Sequence, residues 1–207
     1  MWPTMEVRWF GRGGLPHEVQ AWFESGQERP EEQASRVDHY LRVPHTNSLG
    51  IKLREGKVEV KQLHQRHGVV RLHERVTGMM EHWRKWSFLI AQPGALADAL
   101  SPASSWVSVR KERELRKYQV TDSAAVKAIP TDHYPARGCY VELARLGVAG
   151  EVWWSLALEA FGNEGALRDT VSLVAKYVFG TGEPPPLEAR ASYGYPEWLQ
   201  RLRGDDE

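Results

Sequence analysis

The chain has 207 residues, enough for one domain with a real hydrophobic core and no need of metal or disulfide staples. Its 27 Lys+Arg balance its 27 Asp+Glu, so no general electrostatic pull toward nucleic acid or anionic membrane is expected, and a polyanion site must come from cations gathered locally. The single cysteine, Cys139, excludes an intrachain disulfide, and no segment approaches the roughly 20 apolar residues of a membrane span.

Taken in chain order, MEVRWF (5–10) predicts a strand, broken by Gly11, Gly13, Gly14 and Pro16. GRGG (11–14) reads as a turn, since it has neither the Gly-Lys-Ser/Thr of a P-loop nor G-x-G-x-x-G. HEVQAWFESG places Val19, Trp22 and Phe23 at helical spacing, and GQERPEEQ follows as a polar loop. RVDHYLRV (36–43) is strand-like and stops at Pro44. GIKLREGKVEVKQ (50–62) alternates apolar and charged residues on both sides of Glu55-Gly56, the pattern of a two-faced hairpin.

KQLHQRHGVVRLHERV predicts a turn near His67-Gly68, and MMEHWRKWSFLI (79–90) a further strand. PGALADALSPAS predicts a short helix from Pro93. SSWVSVRKERELRKYQV (104–120) reads as one long charged strand or a strand pair, and KAIPTDHYPARGCYVELARL continues the sheet. GVAGEVWWSLALEAF (147–161) is a hairpin return, GNEGALRDTVSLVAKYVFG an amphipathic helix closed by Gly180, and YPEWLQRL a short terminal helix. The expected class is α+β: an antiparallel, roughly eight-stranded β-barrel with flanking helices, one domain over 1–203 and an acidic tail at 204–207. MWPTMEVRWFGRGG has no apolar run behind a basic region, so a soluble cytoplasmic protein is expected.

Cations recur on the predicted strands: Lys52/Arg54, Lys61, Arg71/His73/Arg75, Arg84/Lys85 and Lys111/Arg113. On an open sheet they are a wetted face. In a closed barrel, alternation would aim one set into the lumen, where guanidinium and ammonium groups suit phosphate oxygens. The amphipathic segments 15–25 and 164–179 are available to cover the apolar outside. His64 and His67 in LHQRHG, with His73 nearby, could suggest a metal site, but without a Cys or carboxylate pair beside them they read as surface histidines, and Cys139 reads as a small buried side chain. Trp83, Trp86, Trp153 and Trp154 read either as packing or as an aromatic wall beside the cations.

MEVRWF, DHYL, SLGIKLREG-KVEVKQ, HWRKW, VRKER, GEVWWSLALEAFG and SYGYPEWL, in that order and over nearly the whole chain, resemble the triphosphate tunnel metalloenzyme (CYTH) superfamily, thiamine triphosphatases among them. The resemblance implies an eight-stranded tunnel in which basic residues hold a triphosphate and carboxylates bind Mg²⁺ or Mn²⁺ for phosphohydrolysis. It implies phosphate contacts from Lys52, Arg54, Lys61, Lys111 and Arg113, with Arg84, Lys85 and Arg190 as further candidates. Glu6, Glu159 and Glu142, with Glu74 more loosely, would be metal ligands. The family's first strand reads E-x-E-x-K; here Glu6 stays, but Arg8 and Phe10 stand at the second Glu and the Lys. On the late strand Ala157 replaces the first carboxylate of E-x-E. The expectation is therefore a tunnel that binds a triphosphate or other phosphorylated small molecule, or a polyphosphate, with catalysis weakened or lost. The alternatives are a metal-dependent triphosphate or organic-phosphate hydrolase with a rearranged site, and a non-catalytic barrel for a partner or an apolar ligand.

Overall fold

The computed structural model describes residues 1–26, 28–89 and 105–202. Among them the strands are β1 (Trp2–Arg12), β2 (Glu31–Leu41), β3 (Leu49–Arg54), β4 (Lys57–His73), β5 (Val76–Leu89), β6 (Trp106–Val120), β7 (Val126–Ile129), β8 (Gly138–Val148) and β9 (Glu151–Phe161). The helices are α1 (His17–Glu24), α2 (Leu167–Phe179) and α3 (Tyr195–Arg201). Neighbours in the sheet run β2-β3-β4-β5-β1-β9-β8-β6, all antiparallel, and β2 also pairs with β6. That last ladder closes an eight-stranded barrel and leaves no free edge among those strands. β7 pairs only with the end of β6 and lies outside the closure.

Closure divides each strand's alternating side chains between lumen and exterior. On β1, Met5, Val7 and Trp9 face outward and join one buried apolar cluster with Val19, Trp22 and Phe23 of α1. α2 adds Leu167, Val171, Val174, Ala175 and Val178, a stripe at helical spacing. Each such aliphatic side chain contributes about 1.5–3 kcal/mol relative to exposure, which outweighs the modest helix propensity of the valines. The two amphipathic segments thus do cover the barrel's outside.

Two expectations change. β4 runs unbroken through His67-Gly68; Gly68, at φ 84°, sits beside a slip in the ladder, and the chain turns at Glu74-Arg75 instead. A bulge absorbs an extra residue without ending the strand, so a glycine there imitates a turn signal. β2 begins at Glu31, within the polar stretch read as a loop, because Glu31–Gln33 find a ladder on Arg113–Leu115 of β6. Of the two readings of 104–120, the single long strand is the one found, over Trp106–Val120. The helix predicted from Pro93 and the tail at 204–207 lie outside the described residues.

One end of the barrel is plugged. Phe10 lies between Tyr193 and Trp198, stacked on both with ring centroids 5.3 and 5.0 Å away. Tyr40, Leu146, Val148, Trp153 and Leu199 complete this second apolar cluster. α3 is therefore the floor of the lumen, held also by Arg66, which donates to Glu81 on β5 and Glu197 on α3, each at 3.0 Å.

Candidate functional site

Above the floor lies a cavity of about 160 Å³, lined from all eight barrel strands and by Gly194, Tyr195 and Pro196. Gly194 permits this close floor: a Cβ there would stand 2.8 Å from the Trp83 ring and 3.0 Å from Glu81 Oε2. Of the sequence-nominated cations, Lys52, Arg54, Lys61, Lys85, Lys111 and Arg113 all line the cavity. Arg8 and Arg36 join them. Arg84 does not: alternation turns it to the outer face of β5, against Glu164. Nor does Arg190, which lies exposed and paired with Glu188. Glu74 is exposed at the β4–β5 turn.

The eight cations contact five carboxylates of the wall. Arg8 donates to Glu6 at 2.6 Å and to Glu142 at 3.0 Å, and lies 4.9 Å above the Tyr195 ring. Lys61 bonds Glu6 and, at 3.2 Å, Glu159. Asp38, fully buried, meets Arg36 at 3.0 Å, Lys52 at 3.3 Å and Lys111 at 3.4 Å. Glu59 meets Arg54 at 2.6 Å, Lys52 at 3.0 Å and Lys85 at 3.5 Å. Arg113 reaches Glu142 at 3.3 Å. Breaking a buried pair of this kind by removing one partner costs about 3–5 kcal/mol, because a desolvated charge is left behind.

Protonation follows from burial set against these neighbours. Burial alone would raise the Glu6 carboxyl, but Lys61 and Arg8 hold it down at about 2. Glu59 is likewise held at about 2 against its burial, by Lys52, Lys85 and Arg54. Burial opposes but does not prevent strong lowering at Asp38, by Lys52 and Lys111, and at Glu142, by Arg8 and Lys111. Lys61 goes well up despite its burial, because Glu159 and Glu6 flank it. Two lysines go the other way. Burial brings Lys111 down to about 7 although Asp38 and Glu142 oppose it. Burial and then Lys111 bring Lys52 down to about 8. Lys111 is boxed by aromatic groups: it donates to the Tyr40 hydroxyl at 2.6 Å, with Nζ 3.8 Å from the Tyr195 ring centre.

Eight cations against five carboxylates leave a formal surplus of three positive charges. Arg54 Nε and Arg113 Nε are buried with no hydrogen-bond partner. Buried donors left unmet are costly, so the protein alone does not fully satisfy these two guanidinium groups.

The Mg²⁺ or Mn²⁺ that the resemblance implies fits this donor set poorly. Hard divalent ions want free oxygen ligands. Here Glu6 is engaged by Arg8 and Lys61, Glu142 by Arg8 and Arg113, and Glu159 by Lys61. Arg8 already supplies a positive charge between Glu6 and Glu142, as Lys61 does between Glu6 and Glu159, and a guanidinium does not give up its proton to make room.

No known protein-family model and no curated protein matches this chain.

Arg36, Asp38 and Tyr40 of β2 were not singled out from sequence, although they obey the same period-two alternation as Lys52 and Arg54. Tyr195 lies within SYGYPEWL but has no sign there of a lumen role, since only the fold brings α3 under the lumen. Of the tryptophans, Trp83 lines the cavity, Trp153 belongs to the plug and Trp154 packs against the outer cluster. Trp86 does not line the cavity. Cys139 is fully buried, and burial pushes its thiol up.

Proposed function

We propose that the lumen binds a phosphorylated small molecule or an inorganic polyphosphate, and does so without the metal-dependent hydrolysis of the family the sequence resembles. The observation that carries this reading is the gathering of eight cations from six strands on one cavity, with more positive charge than its carboxylates neutralise. Arg36, Arg54 and Arg113 offer planar forks suited to phosphate oxygens, and Lys52, Lys61 and Lys85 offer point charges beside them. The anion competes with Glu59 and Glu142 for these donors, so binding rearranges ion pairs rather than filling an idle site.

Hydrolysis is not part of the proposal, because Arg8 and Lys61 take up the carboxylates that metal-assisted attack by water needs. The test is a titration with tripolyphosphate and with ATP, each with and without Mg²⁺ or Mn²⁺, followed by tryptophan fluorescence and phosphate release. Saturable, metal-independent binding without release is expected. Arg54→Ala and Arg113→Ala should each weaken it at least tenfold, and Arg84→Ala and Arg190→Ala should leave it unchanged. Absence of binding at low salt overturns the proposal. Release that needs metal and is lost in Glu159→Gln replaces it with the hydrolase reading.

A further inference from the structure

His64, His67 and His82 converge on the outer face of the barrel, away from the lumen. In a regular strand His64 and His67, three residues apart, would point to opposite faces. Of the three slips in the β4–β5 ladder, two lie between Leu63 and Gln65 and between Arg66 and Gly68, and there the two histidines are the extra residues. Both therefore turn toward His82 on β5, with ring centroids 4.9 and 6.3 Å from it. Bulges cost ladder hydrogen bonds, and two in succession that gather imidazoles are a built feature.

Two of the gathered atoms are unspent. His82 is 6% exposed, and its Nε2 has no hydrogen-bond partner; neither does the buried Nε2 of His67. The nearest acceptor to His82 Nε2 is Glu164 Oε1 at 3.4 Å, offered by the 3₁₀ turn (Glu164–Ala166) that leads into α2. A nitrogen and an oxygen each about 2.0–2.1 Å from a tetrahedral ion stand about 3.3–3.4 Å apart. One ligand atom each from His64, His82 and Glu164 lies within 4.8 Å of the others, so a small rotation of exposed His64 completes the set. A cation already stands there: Arg84 Nη2 is 3.4 Å from Glu164 Oε1 and 3.5 Å from His64 Nε2. Its side chain is about one-third exposed.

We infer that His64, His82 and Glu164 form a site for a first-row transition ion of the zinc class, on the barrel's exterior and separate from the anion-binding lumen. Two imidazoles and a carboxylate suit Zn²⁺ and Co²⁺ better than Mg²⁺ or Ca²⁺, which prefer oxygen throughout. Bound there, the ion displaces Arg84 and ties β4, β5 and the start of α2 together.

The experiment is calorimetric titration of the full chain with Zn²⁺, and with Co²⁺ followed by its visible absorption. One equivalent is expected to bind saturably, with Co²⁺ bands of a tetrahedral or five-coordinate nitrogen–oxygen site. His64→Ala and Glu164→Gln should each weaken Zn²⁺ at least tenfold, Arg84→Ala should tighten it, and His133→Ala, an exposed histidine elsewhere, should change nothing. His64 and Glu164 are themselves exposed, so neither variant threatens the fold, and unchanged circular dichroism confirms it. Dissociation constants weaker than about 100 µM, or equal effects of His64→Ala and His133→Ala, overturn the inference.

Discussion

Anion affinity in the lumen should fall steeply as pH rises from 7 to 9. Lys111 and Lys52 are the two cations whose ammonium forms burial weakens, to pKa values of about 7 and about 8. Losing both protons reduces the formal surplus in the cavity from three positive charges to one. The sign is set by linkage: a polyanion prefers the charged lysines, so it takes up protons on binding and binds less well where they must be supplied. If it binds only the doubly charged form, moving from pH 7 to pH 9 costs a factor of about 50 through Lys111 and about 10 through Lys52, together about 500-fold. The assay is calorimetry with tripolyphosphate at half-unit steps of pH, repeated in buffers of different ionisation enthalpy to count the protons taken up. Sulfate, fully ionised over this range, controls for titration of the ligand. Lys111→Gln should remove the larger factor and flatten the profile. The free protein should respond in the opposite sense: both lysines have folded values below the unfolded value of about 10.4, so its stability rises with pH over the same window. An affinity that is flat or rises between pH 7 and 9, for both anions, refutes the reasoning. So does a Lys111→Gln profile as steep as the parent's.

At the acid end, the Glu6 and Glu59 carboxyls lie at about 2, below their unfolded values. Their contribution is complete above about pH 5 and is lost as pH falls toward 2, so urea midpoints should be level from pH 6 to about pH 5 and fall from there to pH 3. Phe10→Ala empties the stack between Tyr193 and Trp198 and should cost about 3–5 kcal/mol in chemical denaturation. A loss below about 1 kcal/mol would mean that the plug repacks. Arg8→Glu replaces the cation shared by Glu6 and Glu142 with a third carboxylate. Mn²⁺ binding in the lumen should then appear, read by electron paramagnetic resonance, and should be absent from the parent lumen.

Period-two alternation is a local property, and it was legible. Ile51 and Leu53 against Lys52 and Arg54, or Met5, Val7 and Trp9 against Glu6, Arg8 and Phe10, divide between two faces whatever the partners are. The same holds for the helical stripe of 167–179 and the hairpin at Glu55-Gly56. Strand count and class followed from these patterns, because each element's apolar face needs a cover.

Closure was not local. The β2–β6 ladder joins residues some 75 positions apart, and only that ladder turns a wetted cationic face into a lumen lining. Closure also decides which carboxylate each cation meets: Arg8 finds Glu142 from 134 residues away and Lys61 finds Glu159 from 98 away. Sequence spacing carries no trace of such pairs, yet they set the protonation of the cavity. Tyr195 enters the site because α3 docks under the barrel, and Arg84 and Arg190 leave it because their strand face and turn point elsewhere. His64 and His67 show the same division most sharply. As sequence they sit at an expected turn near His67-Gly68, and the two bulges that bring them to His82 exist only where β4 must keep step with β5.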